Sequence, residues 1–71
     1  MIRSEEKLTP RQQRFIEFLL LTMGNGAKAA RMAGYSDKSA KEIAYQLLKE
    51  HKVRQAANRL FKRYDINYFE Y

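Results

Sequence analysis

The residues best suited to chemistry in this chain lie together in one short segment with helical spacing. Lys38, Lys41 and Tyr45 follow one another at intervals of three and four residues, which places them on one helix face. Ser39 and Glu42 fall in the same segment. Ammonium and hydroxyl groups donate to phosphate oxygens and to base edges, whereas a carboxylate accepts from cytosine or deters wrong sites. The pattern favours contact with nucleic acid over catalysis.

The same residues also fit a simpler interpretation as a solvated surface, since lysine-rich outer faces are common in small helical bundles. Tyr45 suits half-buried packing equally well. The chain has 14 lysine and arginine residues against 8 acidic ones, a net charge of +6. This excess favours an anionic partner, such as nucleic acid, an anionic membrane surface or an acidic protein, without choosing among them.

Other kinds of chemistry find little support. The 71 residues include no cysteine and a single histidine, His51, so neither a disulfide nor a metal cluster is expected. The sequence contains no glycine-rich phosphate loop and no nucleophile–base set. We therefore expect that this chain is not an enzyme and that it has no catalytic residue, metal or cofactor. No apolar run approaches the ~20 residues of a membrane span, and the polar N-terminus is unlike a signal peptide.

Apolar residues at helical intervals predict four helices that would position the cationic segment. The first begins at Thr9, an N-cap followed by Pro10 and by Gln12 in the place that a capping box uses. Gly24 stops it. Its predicted buried stripe comprises Phe15, Ile16, Leu19, Leu20 and Met23.

The second and third helices are predicted to be short. The second begins at Asn25, is rich in alanine, and ends at Gly34, where a left-handed residue would terminate it. Ser36 or Asp37 is expected to cap the third. The apolar stripe of the third helix comprises Ala40, Ile43, Ala44, Leu47 and Leu48.

The fourth helix is predicted to begin at His51 or Lys52 and to run to Tyr64. Its basic residues lie off the buried stripe. That stripe comprises Val53, Ala56, Ala57, Leu60, Phe61 and Tyr64. The predicted fold class is all-α, a small four-helix domain.

The second and third helices match the pattern of a helix-turn-helix, in which two short helices cross at a tight turn that contains glycine. Ala30 is small where the first of the pair must approach the second, and Gly34 lies at the turn. Residues 1–8 are predicted to be a flexible arm, 9–64 the helix-turn-helix domain and 65–71 a tail. The apolar contacts expected to hold the pair are Tyr35, Ala40 and Ile43.

Four segments together resemble the N-terminal domain of phage terminase small subunits: "LTPRQQRFIEFLL", "GNGAKAARMAGYS", "SAKEIAYQLL" and "VRQAA". They span about residues 8–57. The combination of the "LTPRQQ" opening with the "AARMAGYS" block carries the resemblance.

This resemblance implies a DNA-binding protein that recognises the packaging site on viral DNA in the cytoplasm of the bacterial host. Its implied partners are double-stranded DNA, other copies of itself in a ring, and a large subunit that holds the ATPase and nuclease. The DNA-reading helix would map onto residues 38–48. The residues expected to contact DNA are Lys28, Arg31, Lys38, Ser39, Lys41, Glu42, Tyr45 and Lys49, with further phosphate contacts from the basic residues of the fourth helix.

Two features depart from the family pattern. Members often carry a proline before the last helix, where this chain has Glu50, His51 and Lys52, which blurs the predicted boundary and leaves a merger of helices three and four open. Members also continue into a helical oligomerisation segment, which would begin near the tail.

Two rival functions use the same residues. A transcriptional regulator would bind a two-fold operator as a dimer through the same motif. A protein-interaction module would instead dock its basic helices on an acidic partner.

Overall fold

The computed structural model describes residues 7–66, and within that range the backbone forms four α-helices and no strand. The all-α, four-helix prediction is therefore confirmed. Most of the predicted arm (1–6) and tail (67–71) lies outside the described residues. The helices are α1 (Pro10–Leu21), α2 (Gly26–Met32), α3 (Ala40–Lys49) and α4 (His51–Arg63).

The start of α1 has the predicted capping box. The Thr9 hydroxyl accepts from the Gln12 backbone N–H at 3.0 Å, and the Thr9 N–H donates to the Gln12 side-chain oxygen at 3.0 Å. Pro10 occupies the first helical position, where its missing N–H costs nothing. Asn25 caps α2 as predicted, because its side-chain oxygen accepts from the Lys28 N–H at 3.1 Å.

Gln12 also holds α1 to the junction between α3 and α4. Its side-chain amide donates to the Glu50 carboxylate at 3.4 Å, a contact between residues 38 apart in sequence. Glu50 ends α3 and precedes α4, with an extended backbone at φ −71° and ψ 129°. This extended residue interrupts the helical hydrogen bonds, so the expected merger of helices three and four does not occur.

Three helices end in the same kind of motif, with a left-handed residue that lets the next N–H groups bond back to the last turn. The left-handed residues are Met23, Gly34 and Asp65, with φ of 60°, 102° and 60°. After α2, for example, the Tyr35 N–H donates to the Ala30 carbonyl at 3.0 Å. The predicted stop at Gly34 is confirmed.

Two residues predicted for the buried stripes are instead exposed. Met23 is 74% exposed and Tyr64 is 57% exposed. Both lie beyond the last helical residue, Leu21 in α1 and Arg63 in α4. The helical rotation that would turn them inward has already ended at these positions.

The remaining stripes converge on one core. All four helices contribute, and the side chains that dominate its volume are large ones from α1 and α4. The buried residues are Phe15, Ile16, Leu19, Ala29, Ala30, Ala33, Ala40, Ala44, Leu47, Val53, Ala57 and Phe61.

Small side chains bring α2 and α3 close together. A Cβ atom placed on Gly26 would lie 3.0 Å from the Cβ of Ala44, nearer than an ordinary carbon–carbon contact.

The connection between α2 and α3 spans 33–39, longer than the three or four residues of the expected tight turn. The helix α3 begins after Ser39, which makes no side-chain cap bond, so the predicted cap at Ser36 or Asp37 is wrong. The arrangement is consistent with a helix-turn-helix.

Replacing Gly34 by alanine is expected to lower the free energy of unfolding by roughly 1–2 kcal/mol, the cost of a left-handed non-glycine residue. The cost is conformational, because the nearest atom to the new Cβ would be the Arg11 Nε at 3.8 Å. Met23→Gly is the converse variant at an equivalent position and should be neutral or stabilising. Urea unfolding of both variants checks this, and equal effects of the two changes would contradict it.

Gln12→Ala should lower the free energy of unfolding by about 1–2 kcal/mol, since it removes a capping bond and a nearly buried link to Glu50. Gln13→Ala, at the exposed neighbour, is the control and should change stability by less than about 0.5 kcal/mol. Gln12→Glu separates the two roles because it keeps a capping-box residue but faces a second carboxylate. Thermal unfolding should find it destabilised at neutral pH and restored in mild acid. Wild-type stability of Gln12→Glu at neutral pH would show that the Glu50 contact does not matter.

Candidate nucleic-acid interface

The outer face of α3 carries a row of exposed residues spaced one turn apart. Lys41, Tyr45 and Lys49 are all exposed and recur every four residues, so they lie side by side along the helix. Tyr45 is 63% exposed, which rules out the half-buried interpretation. The Lys49 ammonium lies 5.2 Å from the centre of the Tyr45 ring, within range of a cation–π interaction.

A second exposed row on α3 contains one residue that sequence reasoning missed. Glu42 and Gln46 are both exposed and one turn apart. A glutamine amide both donates and accepts, and can therefore bond an adenine edge at two points. The sequence could have identified Gln46, because it lies four residues after Glu42, the same helical spacing that relates Tyr45 to Lys41.

Lys38 and Ser39 lie in the connection directly before α3, and both are exposed. The Ser39 hydroxyl makes no bond to the first turn of α3, so it remains available to an incoming acceptor. Six of the predicted DNA-contact residues thus occupy α3 or the two positions that lead into it, and Lys49 is the last residue of the helix.

The two remaining predicted residues belong to α2. Lys28 and Arg31 lie one turn apart and are exposed. The Arg31 Nε lies 2.6 Å from a carboxylate oxygen of Asp37, and the two side chains are 50% and 85% exposed. Arg31 is therefore already engaged with an anion, and this anion belongs to the connection that leads into α3.

The start of α1 contributes a cation that sequence reasoning also missed. The Arg11 guanidinium lies 5.4 Å from the centre of the Tyr35 ring, beside the connection between α2 and α3. Burial raises the pKa of Tyr35; the Arg11 charge opposes this shift and the Glu50 carboxylate adds to it. No spacing signal marks Arg11, because its neighbour Tyr35 comes from a distant part of the chain.

Several basic residues of α4 occupy a different part of the surface. Lys52, Arg59 and Arg63 line a groove whose other residues come from α1, α4 and the preceding Leu8. No residue of α2 or α3 borders this groove. Three of the predicted phosphate contacts of the fourth helix therefore lie in a groove that the α3 rows do not border.

The described residues contain no group of acidic and histidine side chains able to hold a metal ion. Within the same range, no helix is long and apolar enough to cross a membrane. What the geometry offers is a convex, cationic helix face with one aromatic ring and adjacent amide and carboxylate groups.

Comparison with known proteins supports the family resemblance found in the sequence. A family model described as terminase small subunit matches residues 8–67. Terminase small subunits of Bacillus phage SF6 and Bacillus phage rho15 are each 44% identical to the chain over 50 residues. The match covers 70% of this chain and 34% of each relative, so the matched segment spans only about a third of the length of these relatives. No solved structure matches the chain significantly.

The ionisation of Tyr35 gives a direct test of the electrostatic environment that Arg11 and Glu50 provide for this side chain. Because its pKa is raised, the neutral phenol is favoured in the folded state, and this stabilisation is lost as pH rises above the ordinary value of 10.0. The difference in tyrosinate absorbance between wild type and Tyr35→Phe should show a midpoint above 10.0.

Arg11→Ala is the matched variant, and it should move that midpoint further upward because the opposing charge is gone. A midpoint at or below 10.0 in the wild type would contradict the partly buried position of the phenol.

Proposed function

The chain belongs to the terminase small subunit family, and on that premise we propose that it is the DNA-recognition part of such a protein. It binds double-stranded DNA through the outer face of α3 and takes part in packaging the viral genome. It performs no catalysis itself. The ATPase and nuclease belong to a large subunit, to which the bound DNA is presented in the host cytoplasm.

The observation that carries the proposal is the exposed row Lys41, Tyr45 and Lys49 on a short helix backed by small residues. A ten-residue helix is about 15 Å long, and a single α-helix fits the major groove of B-DNA. Lys38 and Ser39 at its leading end are the first residues to meet the DNA. Glu42 and Gln46 are the residues best suited to distinguish bases.

Phosphate contacts by Lys28, Lys38, Lys41 and Lys49 supply most of the affinity. One domain with so few contacts binds weakly, which suits a protein that must release DNA to a motor. Assembly of several copies raises the effective affinity by ~10²–10⁴ through multivalency. Because 50 residues are 34% of the relative from Bacillus phage SF6, that protein is about twice as long as this chain of 71 residues, and we propose that the ring forms through segments beyond the DNA-binding domain.

Lys38→Ala combined with Lys41→Ala should weaken binding to a random duplex by about tenfold or more at ~50 mM salt. The slope of log affinity against log salt should fall by about 1.8, or about 0.9 per lost phosphate contact, between ~50 and ~200 mM. Fluorescence anisotropy with a labelled duplex measures both quantities. The melting temperature should stay near that of the wild type, because both side chains are exposed.

Arg59→Ala combined with Arg63→Ala is the control, since it removes the same charge from the groove between α1 and α4. A loss of affinity equal to that of the α3 variant would mean that net charge alone drives binding. No duplex binding by the wild type would instead favour an acidic protein partner. A preference for two-fold symmetric DNA would favour a transcriptional regulator.

A further inference from the structure

We propose that Asp37 restrains phosphate binding by this domain, because its carboxylate occupies the Arg31 guanidinium that a DNA phosphate would otherwise take. This inference rests on the proposed function, since it concerns how strongly the same surface binds DNA. It assigns Asp37 the role of limiting sequence-independent affinity.

The geometry supports direct competition for Arg31. The Arg31 Nε to Asp37 Oδ1 distance is 2.6 Å, a close ion-pair contact slightly shorter than the usual N–H···O length of a charge-assisted hydrogen bond. Carboxylates and phosphates bind the same donors of a guanidinium. A phosphate that approaches Arg31 must therefore displace Asp37 or share the site with its negative charge.

The exposure of the pair makes the restraint modest and reversible. The Asp37 side chain is 85% exposed and that of Arg31 is 50% exposed. Exposed ion pairs of this kind are weak and are screened by salt. The pair therefore lowers the affinity of Arg31 for phosphate without removing Arg31 from the interface.

The position of Asp37 places this negative charge just before the N-terminal end of α3, the helix proposed to contact DNA. It immediately precedes Lys38 and Ser39, and its backbone carbonyl accepts from the Ala40 N–H at 3.5 Å. A carboxylate beside the first DNA-facing residues repels phosphates at every sequence alike. The contribution of base contacts by Glu42 and Gln46 is then larger relative to the total.

The opposite role for Asp37 would be to orient Arg31 toward DNA, and the two roles predict opposite effects of one substitution. Asp37→Asn keeps the size of the side chain and removes its charge. Under our proposal it tightens binding to a random duplex by up to about fivefold at ~50 mM salt, the upper range for an exposed ion pair. The salt slope steepens by up to about 0.9, because Arg31 becomes fully available as a phosphate contact.

Glu17→Gln provides the charge-matched control. The Glu17 carboxylate accepts from the Gln13 side chain at 3.3 Å on α1 and borders the groove lined by α1 and α4. The Glu17→Gln substitution changes the net charge by the same amount as Asp37→Asn but frees no arginine. The salt slope of this variant should therefore match that of the wild type. Arg31→Gln provides the second control, since the gain from Asp37→Asn should vanish in the double variant if the effect acts through Arg31.

Each outcome of the anisotropy titration decides the matter. Tighter binding with a steeper slope, lost in the Arg31→Gln background, supports the proposal. Weaker binding by Asp37→Asn means that Asp37 orients Arg31 and overturns it, as does an effect equal to that of Glu17→Gln. If Asp37→Asn does not tighten binding, while the wild type binds and Lys38→Ala with Lys41→Ala weakens binding, only the inference about Asp37 fails. If the wild type does not bind at all, the proposed function fails and this inference falls with it.

Discussion

The close approach of α2 to α3 is the constraint on which the rest of the domain depends. Gly26 and Ala44 lie so close together that a Cβ atom added to Gly26 would be only 3.0 Å from the Cβ of Ala44. The buried residues of α2 are alanines, so α2 adds little volume to the core. Its role is geometric, because small side chains let α3 lie against it while the outer rows of α3 stay in solvent. Larger residues at this contact would move the outer face of α3 rather than merely destabilise the protein.

The larger side chains of α1 and α4 then supply the stability that α2 does not provide. Phe15, Leu19, Val53 and Phe61 are fully or almost fully buried, and a domain of this size depends on a few such residues. Gln12 adds orientation to this packing, since it joins the first turn of α1 to the residue between α3 and α4. Both ends of α3 are therefore fixed, one through the connection after α2 and the other through Glu50.

Local features of the fold could be predicted from the sequence because they depend on neighbouring residues. The caps at Thr9 and Asn25 and the left-handed stop at Gly34 each involve atoms within a few positions of one another. Periodicity identified the buried stripes for the same reason. It failed at Met23 and Tyr64, because a helical pattern extends past the residue at which the backbone hydrogen bonds stop. Element ends depend on competing motifs that a period does not contain.

Features that join distant segments could not be predicted in this way. The contact of Gln12 with Glu50 crosses 38 positions, and Arg11 reaches Tyr35 from another helix. The start of α3 was misplaced for a related reason. Asp37 is a residue type that commonly caps helices, but its carboxylate binds Arg31, and α3 begins only at Ala40. The Asp37 carboxylate could bond either to the first turn of a helix or to an arginine, and in the folded domain it bonds to Arg31.

That choice bears on how a small basic domain avoids indiscriminate binding. A net charge of +6 on 71 residues attracts any polyanion, and phosphate attraction carries no sequence information. If the proposed DNA binding is selective, some cations must be kept from phosphate while the groups proposed to read bases remain exposed. In this domain Arg31 is held by Asp37. Glu42 and Gln46 remain exposed on α3. The same fold that exposes α3 thus also tempers the charge around it, because both depend on the path of the connection between α2 and α3.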